Sequence, residues 1–98
     1  MISPNEILDR RNEIKDCIAA DAVADAVRRL IDFMRDFHAN MEDEAIMISM
    51  DFTELEKETQ RAIVDRQEAK VNKRQIANRI LSALNTAWSK LESKLERA

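Results

Sequence analysis

Two long, mostly apolar stripes, one before and one after Asp65, constrain the fold of this chain more than any other feature of its sequence. Their residues recur at steps of three and four, which places each stripe on one side of an α-helix because 3.6 residues complete a turn. The first stripe is Ala45, Ile48, Phe52, Leu55, Thr59 and Ala62, and the second is Ala69, Ile76, Ile80, Ala83, Leu84, Ala87, Leu91 and Leu95. Helices joined by a short connection bury such stripes by folding back on each other, so the sequence predicts a helical hairpin.

Length and composition restrict the chain to one small all-α domain, residues 1–98. It has 98 residues, 45% hydrophobic and 36% charged, with no glycine and one proline. With this composition the chain is too apolar to be disordered as a whole. No apolar run approaches the roughly 20 residues of a membrane span. A signal peptide is also not recognisable, which favours a cytoplasmic location. The net charge of −3 argues against nucleic acid as the main partner.

Helix-start signals divide the first half of the chain. Ser3 and Glu6 form a capping box, with Pro4 at the first helical position. A break is predicted near Ala20, with Asp21 as the N-cap of helix two, because the apolar pattern restarts there.

The second half divides in the same way. Helix two is predicted to end near His38, with Asn40 capping helix three, which runs to about Ala62. Asp65 opens a second capping box and a fourth helix that extends to Leu95. The resulting fold is a four-helix up-and-down bundle in which helices three and four form the long hairpin. Residues 89–98 overhang the bundle or begin a linker. A six-helix death-type fold needs more helix breaks than the chain contains.

Catalytic and metal sites have little support in the sequence. Cys17 is the only cysteine and His38 the only histidine, too few for a four-ligand zinc site. His38 with Cys17 or Ser49 would make a nucleophile and base, but a helix C-terminal histidine and a core cysteine explain the same residues. The acids at the start of helix three lack the Glu-x-x-His pattern of di-iron bundles. We therefore predict no enzyme, no cofactor and no metal.

Helix three has more apolar residues than one stripe can bury. Ile46, Met47 and Met50 point away from Ile48 and Phe52 at 100° per residue. Two neighbouring helices would bury them, or they form a surface where flexible methionine side chains adapt to a second protein. Trp88 allows the same two interpretations, an end seal of the bundle or an interface anchor.

Charge is unevenly distributed along the hairpin. Residues 42–58 contain seven acids and one base, whereas residues 66–79 contain five bases and one acid. Pairing across the hairpin is one interpretation, although exposed pairs contribute only about 0 to 1 kcal/mol each. The other is that unlike patches let copies associate front to back, a contact that propagates into rings or filaments.

A family resemblance covers residues 43–87. It rests on Glu44, Ala45, Ile46, Leu55, Glu56, Ile63, Val64, Asp65, Glu68, Ala69, Arg79, Ile80, Ala83 and Leu84. In this order the residues resemble the bacterial effector-associated domains, particularly the type numbered eleven. The resemblance implies a small adaptor in bacterial conflict or defence systems, joining by like-with-like contacts a sensor such as an NTPase to an effector such as a peptidase or TIR domain. It transfers no catalytic residue.

The leading interpretation is a non-enzymatic adaptor that binds another copy or a related helical domain and forms a homo-oligomer. The predicted partner-binding residues are Arg66, Lys70, Lys73 and Arg74, with Asp51, Glu54, Glu58, Met47 and Met50. Reversing the charge of Lys70 and Lys73 should abolish association and leave the fold intact. One alternative is a structural oligomer pairing through a helix-four seam of Ile80, Ala87, Leu91 and Leu95. A small regulatory protein that binds a distinct partner is the other.

Overall fold

Four α-helices in a bundle make up the fold. The computed structural model describes the backbone of residues 4–61 and 65–97 and the side chains up to residue 94. The helices are α1 (Pro4–Ala19), α2 (Val23–Phe37), α3 (Glu42–Gln60) and α4 (Arg66–Arg97), with a 3₁₀ turn at Ala39–Met41. No strand occurs in these residues. The all-α prediction and the α3–α4 hairpin are thus confirmed.

The connection between α1 and α2 lies where the sequence predicts it, but Asp21 has a different role. The backbone N–H of Ala22 donates to the Cys17 carbonyl at 2.8 Å, and that of Asp21 donates to the Ile18 carbonyl at 3.0 Å. These two bonds define a Schellman motif at the end of α1. Asp21 takes its left-handed position, with φ of 61°. The N-cap prediction is wrong, because Ala22 is the N-cap of α2 and makes no side-chain cap bond.

The connection between α2 and α3 also departs from its predicted cap. The backbone N–H of His38 donates to the Met34 carbonyl at 2.8 Å, which closes α2 at the predicted residue. Asn40 lies inside the 3₁₀ turn, and Met41 precedes α3 without a side-chain cap bond. The prediction that Asn40 caps α3 is therefore wrong. Three acids in the first turn, beginning at Glu42, still suit the positive end of the helix dipole.

The start of α4 is capped as predicted. The backbone N–H of Glu68 donates to Oδ1 of Asp65 at 2.7 Å. In α3, Gln60 is the last helical residue. The predicted end near Ala62 and the Ser3 cap before Pro4 lie outside the described residues.

The core is a single apolar cluster to which all four helices contribute. Its buried members are Ile7, Ile14, Val23, Ala26, Val27, Leu30, Phe33, Met34, Ala45, Ile48, Phe52, Leu55, Ile76, Ile80, Ala83, Leu84, Ala87 and Leu91. Cys17 and Trp88 are partly buried against it. Ion pairs join α1 to α2 at the surface, from Arg10 to Asp36 at 2.6 Å. The buried stripes supply the driving force, since each fully buried Leu or Ile contributes about 1.5 to 3 kcal/mol.

Burial along the hairpin stops well before its closed end. On α3 the last buried residue is Leu55, and on α4 the first is Ile76. We call residues 56–61 and 65–75 the hairpin tip; none of its described side chains is buried. Residues 42–55 and 76–94 form the hairpin base, which carries the buried residues of both helices. Helix α2 packs against α3 and α4, and α1 packs against α4. The tip therefore projects beyond the first two helices.

Candidate interaction surfaces

The predicted basic residues lie in the first turns of α4, all within the hairpin tip. Arg66, Lys70 and Arg74 are exposed, and Lys73 is half-buried. At 100° per residue, Arg66, Lys70 and Lys73 continue the direction of the stripe that Ile80 marks in the base. Lys73 Nζ makes an ion pair with Asp21 Oδ1 at 3.1 Å. This contact shows that the connection between α1 and α2 lies next to Lys73 of α4.

The predicted acidic residues lie along α3. Asp51 and Glu54 are exposed and Glu58 is half-buried. Asp51 accepts a hydrogen bond from Arg79 of α4. This bond is an example of the pairing across the hairpin that the charge distribution allowed. Glu54 and Glu58 make no ion pair within the described part of the chain.

The two charged patches do not face each other across the hairpin. Lys73 points toward Asp21 in the connection between α1 and α2, whereas Arg79, about 120° away around α4, points toward Asp51 of α3. The predicted bases therefore lie on one side of the hairpin and the acids on another. Intramolecular pairing leaves most of their charge uncompensated.

The apolar surplus of α3 stays exposed. This helix packs against both α2 and α4, as one interpretation required. Burial by those neighbours nevertheless does not occur for Ile46, Met47 and Met50, which are 36%, 51% and 59% exposed. Helical spacing places Met47 and Met50 beside Glu54 and Glu58. We call Met47, Met50, Glu54 and Glu58 the α3 outer face.

A groove at the hairpin tip was not predicted from the sequence. Its volume is about 960 Å³, and it lies between the second half of α3 and the first turns of α4. Phe52, Leu55 and Ala69 form its apolar floor, and Arg66 and Lys70 lie along its α4 side. The groove exists because α1 and α2 end below it. Its only signal in the sequence is the replacement of aliphatic residues by bases on the inner side of α4.

Polar atoms without partners occur at the opposite end of the bundle. His38 is 6% exposed, and its Nε2 has no hydrogen-bond partner in the part of the chain that the structure describes. Its desolvation, followed by the charges of Lys90 and Lys94, lowers the pKa of His38 below the usual 6.5. Nε of Arg11 is also buried without a hydrogen-bond partner among the described residues. The Arg11 guanidinium lies 4.9 Å from the centre of the Trp88 ring.

The described residues include those considered from the sequence for catalysis. Among them, Nε2 of His38 forms no hydrogen bond with either candidate nucleophile, Cys17 or Ser49. No cluster of three or more potential metal ligands occurs among the described residues. Within the same residues, none of the helices combines the length and the apolar character that crossing a membrane requires.

Comparison with known proteins identifies the class. The family model described as effector-associated domain 11 matches residues 9–88, about four fifths of the 98-residue chain. The chain therefore belongs to the effector-associated domain 11 family, and the match extends beyond residues 43–87, where the resemblance was seen. Neither the curated proteins nor the solved structures include a match.

Proposed function

We propose that this chain is a non-catalytic adaptor domain that associates with another copy of itself or with a related helical domain on a sensor or effector protein. The setting is the cytoplasm, in a bacterial conflict or defence system. Membership of the effector-associated domain family supports an adaptor role, because such domains are generally non-catalytic and accompany other protein domains. The observation that carries like-with-like association is the pair of uncompensated, oppositely charged surfaces.

The uncompensated charges of α3 and α4 favour association and also set the orientation in which two molecules meet. Lys70 and Arg74 on one side of the hairpin, and Glu54 and Glu58 on another, make no ion pair within the described residues. Exposed pairs within one molecule contribute little. Patches that meet between molecules steer the encounter and set its orientation.

The apolar-seam oligomer has less support. Ile80, Ala87 and Leu91 are 0%, 0% and 7% exposed, because they form the core beneath α1 and α2. A seam through these residues would require the bundle to open. The side chain of Leu95 lies outside the described residues.

Size-exclusion chromatography with light scattering, at low and high salt, tests the proposal. We expect concentration-dependent assemblies that dissociate as salt rises, because ionic strength screens exposed charges. Monomers at both salt concentrations would contradict self-association and indicate a different partner. A dimer that ignores salt would contradict the charged contact.

A charge-reversal variant assigns the effect to the basic side of α4. Lys70→Glu with Arg74→Glu should abolish assembly while helicity and the melting temperature stay close to those of the parent. This pair is preferable to one that includes Lys73, because Lys73 also holds Asp21. The matched control is Arg28→Glu on α2, whose side chain is 76% exposed. If the double variant still assembles, the patch assignment is wrong.

A further inference from the structure

We infer that the groove at the hairpin tip binds the α3 outer face of a second copy of this chain. The inference rests on the proposed self-association and specifies its geometry. It commits to one contact, in which Met47 and Met50 of one molecule enter the groove of the next.

The groove lies where α1 and α2 no longer cover the α3–α4 hairpin. In the hairpin base, α1 and α2 cover the apolar stripe, and the ion pair between Asp21 and Lys73 shows where that cover ends. At this boundary the groove is lined by Phe52 and Leu55, the last buried residues of α3, and by the half-buried Ala69 of α4. The uncovered part of α4, from Arg66 to Lys73, is two turns long, about 10 Å at 1.5 Å per residue. It therefore has room for two turns of a further helix.

The α3 outer face has the matching length and chemistry. Met47 and Glu54 are separated by seven residues, which is again two turns and about 10 Å. The described residues contain four exposed large apolar side chains, and Ile46, Met47 and Met50 on α3 are three of them. Unbranched methionine side chains adapt well to an irregular apolar floor. This side of α3 thus holds three of the four exposed large apolar side chains among the described residues.

Charge sets the orientation of the docked helix. The α4 side of the groove carries Arg66 and Lys70, whereas Glu56 lies on its α3 side. The α3 outer face has the opposite arrangement by helical spacing, with Lys57 on one flank, Glu58 about 100° away on the other, and Glu54 between them. One orientation brings Glu54 to the bases of α4 and Lys57 to Glu56. Docking in the reverse orientation would place like charges together, which costs several kcal/mol at an interface.

Two further acids line the groove without opposing this fit. Asp65 Oδ1 accepts a hydrogen bond from the backbone N–H of Glu68, so the Asp65 carboxylate caps the first turn of α4. Glu68 is about 160° from Lys70 around α4, on the side toward α3. The flank that a docked helix meets first is therefore the basic one.

The contact is heterologous because the groove and the outer face belong to opposite sides of α3. Phe52 and Met50 are about 160° apart around that helix. A molecule can consequently bind one neighbour with its groove and another with its outer face. Repetition of such a contact gives a ring if the rotation closes and a filament if it does not.

Two complementary variants test this geometry. The groove variant carries Arg66→Glu and Lys70→Glu, and the face variant carries Met50→Lys and Glu54→Lys. Each should self-associate ~100-fold more weakly than the parent, since like charges would meet in either contact. An equimolar mixture should assemble more strongly than either variant alone, because the unchanged groove of the face variant can take the unchanged outer face of the groove variant, and the two substituted surfaces carry opposite charges. The control, Arg28→Glu with Val71→Lys, should assemble like the parent.

Cross-linking identifies the contact directly. In a Cys17→Ser background, a Met50→Cys chain mixed with an Ala69→Cys chain should form a disulfide-linked heterodimer under oxidising conditions. Val71→Cys is the matched control for Ala69→Cys, because Val71 is 50% exposed and lies on the other side of α4. Melting temperatures verify that each variant is folded.

The outcomes separate the geometry from the function. If the parent self-associates but the mixed variants do not pair, or if position 69 cross-links no better than position 71, the groove contact is wrong and the adaptor proposal stands. A parent chain that remains monomeric at every concentration overturns both.

Discussion

The base and the tip of the α3–α4 hairpin are built from the same two helices but differ in what covers them. In the base, the inner side of α4 carries Ile80, Leu84 and other aliphatic residues beneath α1 and α2. In the tip, the same side carries Arg66, Lys70 and Lys73 and borders an open groove. A single helix thus contributes to the core along one part of its length and, in the proposed contact, to a partner surface along another.

The change of residue type coincides with the end of the covering helices. Lys73 is the last basic residue on this side before Ile76 enters the core, and it holds Asp21 of the connection between α1 and α2. A lysine can bury its aliphatic stem and keep its charge at the surface, which suits this boundary. Under the proposed function, the base determines stability and the tip determines recognition. Substitutions in the two parts should therefore separate these properties.

The largest contrast is expected from apolar truncations in the two parts. Leu84→Ala in the base should lower the free energy of unfolding by about 2 to 5 kcal/mol, because Leu84 is 0% exposed and its removal leaves a cavity. Val71→Ala in the tip should change it by less than about 0.5 kcal/mol. Urea unfolding followed by circular dichroism measures both values. Equal losses would contradict the division into base and tip.

The sequence predicted the base better than the tip. The apolar spacing of α3 and α4 identified the hairpin, because a stripe that is buried along its length repeats with the helical period. The capping residue Asp65 and the first helical residue Pro4 were also predicted correctly. These features depend on neighbours within a few residues, which a sequence displays directly.

Features that depend on distant parts of the chain were missed. Asp21 was predicted as an N-cap, but aspartate also tolerates the left-handed conformation, and the sequence alone does not distinguish the two roles. The exposure of Met47 and Met50 depends on where α2 and α4 lie around α3. The groove depends on where α1 and α2 end in space. Periodicity gives the direction of a side chain, but not whether a neighbour covers it.

The cap of α4 tests how firmly the tip is joined to the base. Asp65→Ala should lower the free energy of unfolding by about 0.5 to 2 kcal/mol, because the backbone N–H of Glu68 loses its acceptor. Asp65→Ser keeps an acceptor oxygen and should retain most of the stability. Hydrogen exchange should increase mainly in the first turns of α4. An equal increase in the base would show that the two parts unfold as one unit.

The next largest effect on stability is expected at Asp21, in the connection between α1 and α2. Asp21→Gly and Asp21→Ala both lose the ion pair with Lys73, so they differ only in the cost of the left-handed backbone. The glycine variant should be more stable than the alanine variant by about 1 kcal/mol, since a Cβ atom is disfavoured at positive φ. Thermal unfolding measures the difference. Equal stability would contradict the left-handed conformation of residue 21.

The smallest effect expected is the pH dependence of the base, which arises from His38. The fold lowers the pKa of His38 below 6.5, mainly through burial and further through Lys90 and Lys94. The unfolded chain therefore binds the proton more tightly, and stability falls as the pH decreases below 6.5. The loss of stability begins near pH 6.5 because the unfolded His38 binds its proton there. His38 is the only histidine in the chain, so no other histidine contributes.

Unfolding in urea at about pH 7.5 and about pH 5.5 measures this effect, on either side of the usual histidine pKa. Trp88 fluorescence reports on the base, where the ring packs against the core. His38→Gln removes the titrating group, so the variant should lose most of the difference in stability between the two pH values. The groove should be unaffected in this range, because the tip contains no histidine. A pH dependence that persists in His38→Gln would mean that another group in the base titrates.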